Sequence, residues 1–216
     1  MNDFLVQAVL NFSLAIPVFI SFVKYGRLDN DFNPFLWFIW LGMANELLSL
    51  VLIYTIHSNA VNANSYILIE YGLILYQFYN WNFTADRIYF ILAVTGLGVW
   101  ITDNLILHSI DYRNSSFRVF ESFIIAFLSI NEINKMIVFQ RGKLFKNPIF
   151  LICITFLIYY SYKAFVETFV IFDLGFGNAF SINVFMVLTV VNFISNILYA
   201  ISILCIPPKL EFTLPY

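Results

Sequence analysis

Acidic side chains occur inside segments of the chain that are otherwise apolar. Glu46 lies in the stretch GMANELLSL (42–50), and Glu70 lies in ILIEYGLIL (67–75). An isolated carboxylate at the centre of a lipid bilayer costs roughly 3 to 10 kcal/mol. Such a group must therefore face the protein interior, pair with another group or carry a proton. Under that constraint both residues are candidates for binding a cation or exchanging a proton.

Three further acids and one base share this apolar setting. Counting along a helix at about 1.5 Å per residue places Asp103, Glu121 and Glu167 about four or five residues from the outer ends of their helices. Lys163 lies one helical turn before Glu167, and this spacing predicts an ion pair between them. If the acids of five helices converge, they form an acidic pocket that opens outward.

Uncharged polar residues extend the same pattern. Thr189, Asn192, Asn196 and Tyr199 are spaced three and four apart, so they share one face of the last helix. The predicted ligand or ion pocket comprises Glu46, Asn45, Glu70, Gln77, Asp103, Glu121, Lys163, Glu167, Asn192 and Asn196. The competing interpretation is that these groups hold membrane helices together, at roughly 0.6 kcal/mol per contact. Glu46 is the strongest candidate for proton exchange, because at mid-bilayer depth it cannot reach water by snorkelling.

The composition indicates the kind of protein that must position these residues. The chain has 216 residues, of which 61% are hydrophobic and 11% charged, and its mean hydropathy is +0.84. Soluble domains carry about 25% charged residues, so the chain is predicted to be an integral membrane protein with one domain over 1–216. Its Lys and Arg residues are scattered over short loops, which argues against nucleic acid as a partner.

Apolar windows long enough to cross a bilayer, about 17 to 25 residues, account for almost the whole chain. Seven are found, at about 4–23, 34–56, 65–83, 88–108, 117–138, 148–172 and 180–206. They are continuous rather than alternating, so the predicted fold is an all-α bundle of seven transmembrane helices. Asn33 and Asn147 each precede a proline and are predicted N-caps, Pro207 should end the last helix, and Pro17 should kink the first.

Basic residues are unevenly divided between the two sides that seven spans define. Arg113 and Arg118 lie on one side. The other side has Lys24, Arg27, Arg87, Arg141, Lys143, Lys146 and Lys209. Because basic loops remain in the cytoplasm, the N-terminus is predicted outside and the C-terminus inside.

Two loops on the basic side resemble each other. GRLDNDFNPF (26–35) and GKLFKNPIF (142–150) both run from Gly, a basic residue and Leu to an Asn-Pro that opens a helix. One interpretation is a 3+1+3 arrangement in which helices 1–3 and 5–7 are parallel repeats, as in several transporters. The other is convergence, because any cytoplasmic loop favours a basic residue and many helices begin with Asn-Pro.

No catalytic constellation is found, so we expect neither an enzyme nor a bound cofactor. His57 and His108, at outer helix ends, are weak candidates for a metal or haem, and three-histidine zinc sites are excluded by count. Cys153 and Cys205 are expected to be free thiols near cytoplasmic helix ends. The segment SINEINKMIVF (129–139) gives helix 5 a polar inner end, which is either a contact surface or a solvated helix end.

Four features form a pattern that extends over nearly the whole chain: Pro17, PFLWFIWLGMANELLSLVL (34–52), SYILIEYGLILYQFYNW (65–81) and NILYAISILC (196–205). In this pattern the chain resembles a group of small seven-span membrane proteins of Bacteroidota. Some members are encoded beside sensor histidine kinases. The resemblance therefore implies a sensory role with such a kinase as partner, and the bacterial inner membrane as location. It assigns no functional residues.

Three classes of function fit these observations. In the first, the chain is a sensory or receptor module whose acidic pocket binds a small cationic or polar ligand and which signals through a membrane or cytoplasmic protein partner. In the second, it is a small transporter or channel, coupled to protons or cations through Glu46. In the third, it is an accessory subunit of a membrane complex, in contact mainly with lipid and its partner.

Overall fold

The computed structural model describes residues 10, 12–82, 86–139, 144–172 and 177–209. Within these ranges the chain is helical, and its α-helices follow the predicted windows closely. They are α1 (Ala15–Lys24), α2 (Asn33–Ile56), α3 (Ala60–Trp81), α4 (Asp86–Ile101), α5 (Ser116–Phe139), α6 (Pro148–Phe172) and α7 (Asn178–Cys205). A π-helical segment, Thr102–Leu107, extends α4. The all-helical class is thus confirmed.

Five helical segments of the described chain are long and apolar enough to cross a membrane. They are Asn30–Ile56, Asp86–Leu107, Ser116–Phe139, Pro148–Phe172 and Ile182–Cys205. Two helices lie outside this set: α1 has only ten described residues, and α3 carries polar side chains that include Asn64, Glu70 and Gln77. All three of those side chains are buried, so these polar groups of α3 face the other helices. A count of seven spans stays a prediction.

The structure confirms one predicted helix start and corrects the other. Asn147 caps α6, because its Oδ1 accepts hydrogen bonds from the backbone N–H groups of Ile149 at 2.9 Å and Phe150 at 3.3 Å. The predicted cap at Asn33 is wrong. Asn33 is the first residue of α2, and the N–H of Phe35 donates to Oε1 of Gln77 at 2.8 Å. A buried amide on α3 therefore takes the capping role.

Pro17 does not lie in the middle of a regular helix. A 3₁₀ turn, Phe12–Leu14, precedes α1, so Pro17 falls in the first turn of that α-helix, where its missing N–H leaves no helical bond unmade. The change from 3₁₀ to α-helix comes before the proline. Residues 1–9 and 11 of the predicted first span lie outside the described residues. The last helix ends at Cys205, before Pro207, as predicted.

The two ends of α2 define two ends of the bundle. At the Lys24 end (24–33 and 204–209), the N–H of Asp29 donates to the carbonyl of Pro207 at 3.2 Å, and the N–H of Lys209 donates to the carbonyl of Arg27 at 2.8 Å. At the Arg113 end (57–64 and 108–118), the amide of Asn64 donates to the carbonyls of Ile110 and Tyr112. Backbone and side-chain contacts therefore tie the loops together at each end.

The distribution of polarity is the reverse of that in a soluble domain. Charged side chains such as Glu121, Lys163 and Glu167 are almost fully buried, whereas many large apolar side chains are exposed, among them Phe19, Phe90 and Phe127. In water this arrangement would expose large apolar patches. In a bilayer the apolar exterior faces lipid tails, and the polar groups find partners inside.

Candidate ligand and ion site

Helices α3, α5 and α6 bring three buried charged residues together. Lys163 Nζ lies 2.9 Å from Oε2 of Glu121 and 3.6 Å from Oε1 of Glu70. The hydroxyl of Tyr160 donates a hydrogen bond to the same Oε1 of Glu70. Glu70, Glu121, Tyr160 and Lys163 are hereafter the Lys163 cluster. Two carboxylates therefore share one ammonium in the interior of the bundle, and Glu70 also accepts a hydrogen bond from a phenol.

The spacing of residues on α6 explains why that helix supplies both donors. Tyr160 and Lys163 are three residues apart, so they project from the same face of a helix. Lys163 Nζ also lies 5.0 Å from the centroid of the Tyr160 ring and 5.9 Å from that of Tyr159. At these distances the ring faces attract a cation. The two tyrosines therefore help to hold the ammonium group inside the protein.

A cavity of about 90 Å³ adjoins the Lys163 cluster on the side of α2 and α7. Its polar lining contains two carboxylates, three amides and three phenols. The complete lining is Leu14, Phe38, Gly42, Asn45, Glu46, Tyr66, Glu70, Tyr159, Asn192, Asn196 and Tyr199. This space is hereafter the central cavity. Glu70 belongs both to its wall and to the Lys163 cluster, so it connects the two.

Glu46 differs from Glu70 and Glu121 in having no partner for its carboxylate among the described residues. It lines the central cavity, and its side chain makes no hydrogen bond or ion pair with any described residue. Glu70 lines the same cavity, so the nearest charged group on the wall has the same sign as Glu46. No Lys or Arg is among the residues that line the central cavity. A cation in the central cavity would find its main counter-charge at Glu46.

The other predicted members of this region are held by neutral hydrogen bonds. Asn45 Oδ1 accepts from Asn62 Nδ2 at 2.8 Å, and Asn196 Nδ2 donates to Oγ of Ser13 at 2.9 Å. Asn192 lines the cavity from α7. Thr189 instead donates to the carbonyl of Phe185 on its own helix, so the polar stripe on α7 reaches the cavity only from Asn192 onward.

Asp103 and Glu167 do not join the central cavity. Asp103 Oδ2 accepts from the backbone N–H of Phe117 at 2.8 Å, and its Oδ1 lies 3.1 Å from Nδ1 of His108. Glu167 accepts hydrogen bonds from Arg113 and, at 2.7 Å, from the hydroxyl of Ser115. The segment between α4 and α5 thus satisfies both acids. The predicted convergence of five carboxylates reduces to three.

Two other predicted positions need correction. The predicted ion pair between Lys163 and Glu167 is wrong, because Lys163 turns toward Glu121 and Glu70 while Glu167 binds Arg113 and Ser115. Gln77 lies near the Lys24 end, where its amide donates to the carbonyl of Asp31 at 2.8 Å and its carbonyl accepts from Phe35. It does not line the central cavity.

Tyrosines are the site residues that sequence reasoning missed. Tyr160 bonds Glu70, while Tyr66 and Tyr159 line the central cavity. The signal for Tyr160 was its position one turn before Lys163. This spacing does not single out Tyr160, because the chain contains 13 tyrosines and 26 phenylalanines, and aromatic residues in apolar helices mostly serve packing.

The histidines do not form a metal centre within the described ranges. There, no group of three or more His, Cys, Asp or Glu side chains is arranged to hold a metal ion. His108 contacts Asp103, and His57 lines a separate pocket at the Arg113 end, where it ends α2 with a left-handed φ of 59°. Cys153 and Cys205 are both free, as predicted.

The polar end of α5 forms its own small network at the Lys24 end. Asn82 Nδ2 donates to Oε1 of Glu132 at 2.7 Å, and Lys135 Nζ donates to Oδ1 of Asn82 at 2.6 Å and to the same Glu132 oxygen at 2.8 Å. Asn131 and Asn134 on the same helix are exposed. This end of α5 therefore combines an internally bonded acid with accessible amides.

Chemically, the arrangement suits the binding of a cation or the exchange of protons between carboxylates. It offers buried acids, phenols and amides, which are oxygen donors for a small cation. No family model matches the chain, and neither a curated protein nor a solved structure matches it. The geometry of the central cavity and the Lys163 cluster is therefore the evidence that bears on function.

Proposed function

We propose that the chain is a multi-pass protein of the bacterial inner membrane that acts as a receptor module for a small cationic ligand. In this proposal seven helices cross the membrane, with the N-terminus outside, and the ligand binds in the central cavity. A partner protein, such as the histidine kinase implied by the resemblance to the Bacteroidota group, carries the signal onward. The proposal rests on one observation: the carboxylate of Glu46 lines the cavity and has no hydrogen-bond or ion-pair partner among the described residues.

The charge balance of the interior supports a cationic ligand. Three carboxylates lie at or beside the central cavity, and Lys163 is already shared by Glu70 and Glu121. Glu46 is half-buried, and a carboxylate that is partly removed from water without a counter-ion is unfavourable. A bound cation next to Glu46 would remove that penalty, and a proton would do the same in its absence. The site therefore favours cations and rejects anions.

The size of the cavity restricts the ligand. A volume of about 90 Å³ is well below the roughly 300 to 1,000 Å³ of drug-sized pockets. It suits a monovalent metal ion with some of its water or the head of a small amine. Tyr66, Tyr159 and Tyr199 line the space with aromatic rings, which attract ammonium groups.

Glu70 supplies a route from the cavity to the rest of the bundle. It lines the cavity and bonds Tyr160 of α6, and Lys163 of α6 bonds Glu121 of α5. A cation that attracts the Glu70 carboxylate would weaken the hydrogen bond from Tyr160 to Glu70 and the ion pair between Lys163 and Glu70. The ion pair between Lys163 and Glu121 would then become stronger. The other end of α5 presents the exposed Asn131 and Asn134, a surface that a partner can contact.

A proton- or cation-coupled transporter is the second candidate. It is favoured by Glu121, whose Oε1 is buried and has no hydrogen-bond partner among the described residues. That oxygen could accept a proton while Oε2 remains on Lys163, so protons could pass between Glu46, Glu70 and Glu121 as the ion pairs rearrange. This candidate requires flux across the membrane, whereas the receptor does not.

The first experiment is mass spectrometry of the protein purified from its native membranes in mild detergent. A stoichiometric kinase or other large partner supports the receptor or an accessory subunit of a membrane complex. A protein that purifies alone and carries a bound ion or amine supports the transporter.

Calorimetric titration with methylammonium, Na⁺ and K⁺ then tests the cavity itself. Glu46→Gln should weaken binding of the preferred cation at least about tenfold, because it removes the unpaired charge. Asp86→Asn, which makes the same change at an exposed residue outside the cavity, should leave binding unaltered. Equal binding by wild type and Glu46→Gln would contradict a cation site at Glu46. Flux in proteoliposomes that Glu46→Gln abolishes would select the transporter.

A further inference from the structure

A second pocket, of about 330 Å³, lies at the Arg113 end of the bundle. It is formed where α2 ends and α3 begins, against the segment that leads into α5. Its lining includes His57, Ser58, Asn64, Arg113 and Arg118, and no acidic residue is among the lining side chains. The charged side chains of the lining are therefore two arginines, of which Arg113 is paired with Glu167 outside the lining and Arg118 bonds neutral groups only.

Arg113 and Arg118 are the charged side chains that line this pocket. Arg118 Nε donates to the carbonyl of Asn114 at 3.0 Å, and its Nη2 donates to Oδ1 of Asn64 at 3.1 Å. These bonds fix the guanidinium group beside the pocket and leave further N–H donors on it. Arg113 pairs with Glu167, and its guanidinium carbon lies 5.0 Å from the centroid of the Phe185 ring. Both groups are therefore held in place by the fold.

The start of α3 adds donors at the same place. Asn59 stands at the N-cap position of α3 but makes no side-chain capping hydrogen bond, and the N–H of Ala60 donates a long hydrogen bond of 3.5 Å to Oγ of Ser58. The first N–H groups of a helix carry partial positive charge and favour anions. The dipole of α3 therefore adds to the positive charge of Arg118, which makes no ion pair with a described residue.

We propose that this pocket binds a phosphate group. Guanidinium groups match the oxygens of phosphate in a bidentate geometry, and His57 at the rim can donate a further hydrogen bond. The phosphate can belong to a free inorganic or organic phosphate, or to the headgroup of a phospholipid at the membrane surface. The site is independent of the central cavity and of the function proposed for it.

Calorimetric titration of delipidated, detergent-purified protein with inorganic phosphate and with short-chain phosphatidylglycerol tests the proposal. Ser58→Asp places a negative charge in the pocket and removes no packing, because Ser58 is exposed, and it should weaken binding about tenfold. Ser116→Asp adds the same charge at an exposed position outside the pocket lining, and binding should persist.

The two titrations distinguish the sources of the phosphate. Binding of inorganic phosphate that Ser58→Asp weakens supports a site for a free phosphate. Binding of the lipid alone, weakened in the same variant, supports a headgroup site. The proposal is overturned if neither compound binds, or if Ser58→Asp binds as wild type does. Glu46→Gln should not alter this binding, so failure here is separable from failure at the central cavity.

Discussion

Lys163 is the cation that makes it possible to bury both Glu70 and Glu121. Its Nζ contacts a carboxylate of each, and all three side chains are almost fully buried. Buried ion pairs are weak evidence for high stability, because desolvation offsets much of the attraction. Removal of one partner is strongly destabilising, because the remaining charges keep their desolvation penalty and lose the attraction that offset it.

We predict that Lys163→Met lowers the free energy of unfolding by about 3 to 5 kcal/mol, as expected when a buried ion pair is broken. Methionine keeps most of the side-chain volume, so the effect reports charge rather than a cavity. Denaturant titration in detergent micelles measures it. Lys146→Met removes the same charge at an exposed position and should change stability by less than about 0.5 kcal/mol.

A double variant separates the charge from other effects of the substitution. In Lys163→Met with Glu121→Gln, one of the two stranded carboxylates becomes neutral, so part of the lost stability should return. Such a coupling between neighbours typically amounts to about 0.5 to 3 kcal/mol. If the two substitutions simply add, Lys163 and Glu121 do not form the ion pair described above.

Among the helices, α3 and α4 pack closely at one glycine. A Cβ atom at Gly96 would overlap Cε1 of Tyr71 and lie 2.9 Å from Cζ of the same ring. Tyr71 cannot easily move away, because its hydroxyl donates to the carbonyl of Leu92 at 2.9 Å and its ring packs against Phe117. The absence of a side chain at Gly96 therefore allows the two helices to approach.

We predict that Gly96→Ala destabilises the protein by about 1 to 3 kcal/mol, the usual effect of overpacking a filled interior. Gly98→Ala is the matched control, because a Cβ at Gly98 meets nothing within 4 Å. There the better helix propensity of alanine should leave the melting temperature equal or higher. Thermal melting in one detergent compares them. Equal melting temperatures for the two variants would contradict the contact between Gly96 and Tyr71.

The sequence predicts the helices better than it predicts their contacts. Long apolar windows and the residues Asn147 and Pro207 locate most helix boundaries, because these signals act within a few residues of the chain. The cap of α2 was mispredicted because it comes from Gln77, which lies 44 residues beyond Asn33 on another helix. Such a contact depends on tertiary packing.

The same limit applies to the candidate site. The sequence predicts Glu46, Glu70 and Glu121 to face other helices, because they are carboxylates inside apolar windows; Glu70 and Glu121 are buried, and Glu46 is half-buried against the central cavity. Spacing also suggested Glu167 as the partner of Lys163, but α6 is rotated so that Lys163 faces Glu121 and Glu70. Helix rotation is fixed by packing between helices, which the sequence of one helix does not specify.

At the scale of the whole molecule, the pairing of loops fixes which segments share a side. The loop between α1 and α2 bonds the segment after α7, since Lys209 N–H donates to the carbonyl of Arg27 and Asp29 N–H donates to that of Pro207. Lys24 Nζ adds a bond of 3.3 Å to the carbonyl of Leu204. Whatever the orientation in the membrane, these two segments must therefore lie on the same side.

Cysteine labelling can test side and orientation separately. In a Cys205→Ala background, where the remaining Cys153 is buried, we predict that Gly26→Cys, Arg87→Cys and Lys209→Cys react with an impermeant maleimide from the cytoplasmic side. Ser58→Cys should react from the outside. All four positions are exposed, and the background protein without a new cysteine should stay unlabelled.

Each departure from this pattern has a distinct meaning. Labelling of Gly26 and Lys209 from opposite sides would contradict the loop pairing and the helix arrangement described above. If all four positions are labelled from the side opposite to the predicted one, the helix arrangement is retained and only the orientation derived from basic residues is wrong. Because α3 alone connects Ser58 to Arg87, labelling of both from one side would show that α3 does not cross the membrane. Glu70 on α3 could then no longer serve a site at mid-bilayer depth.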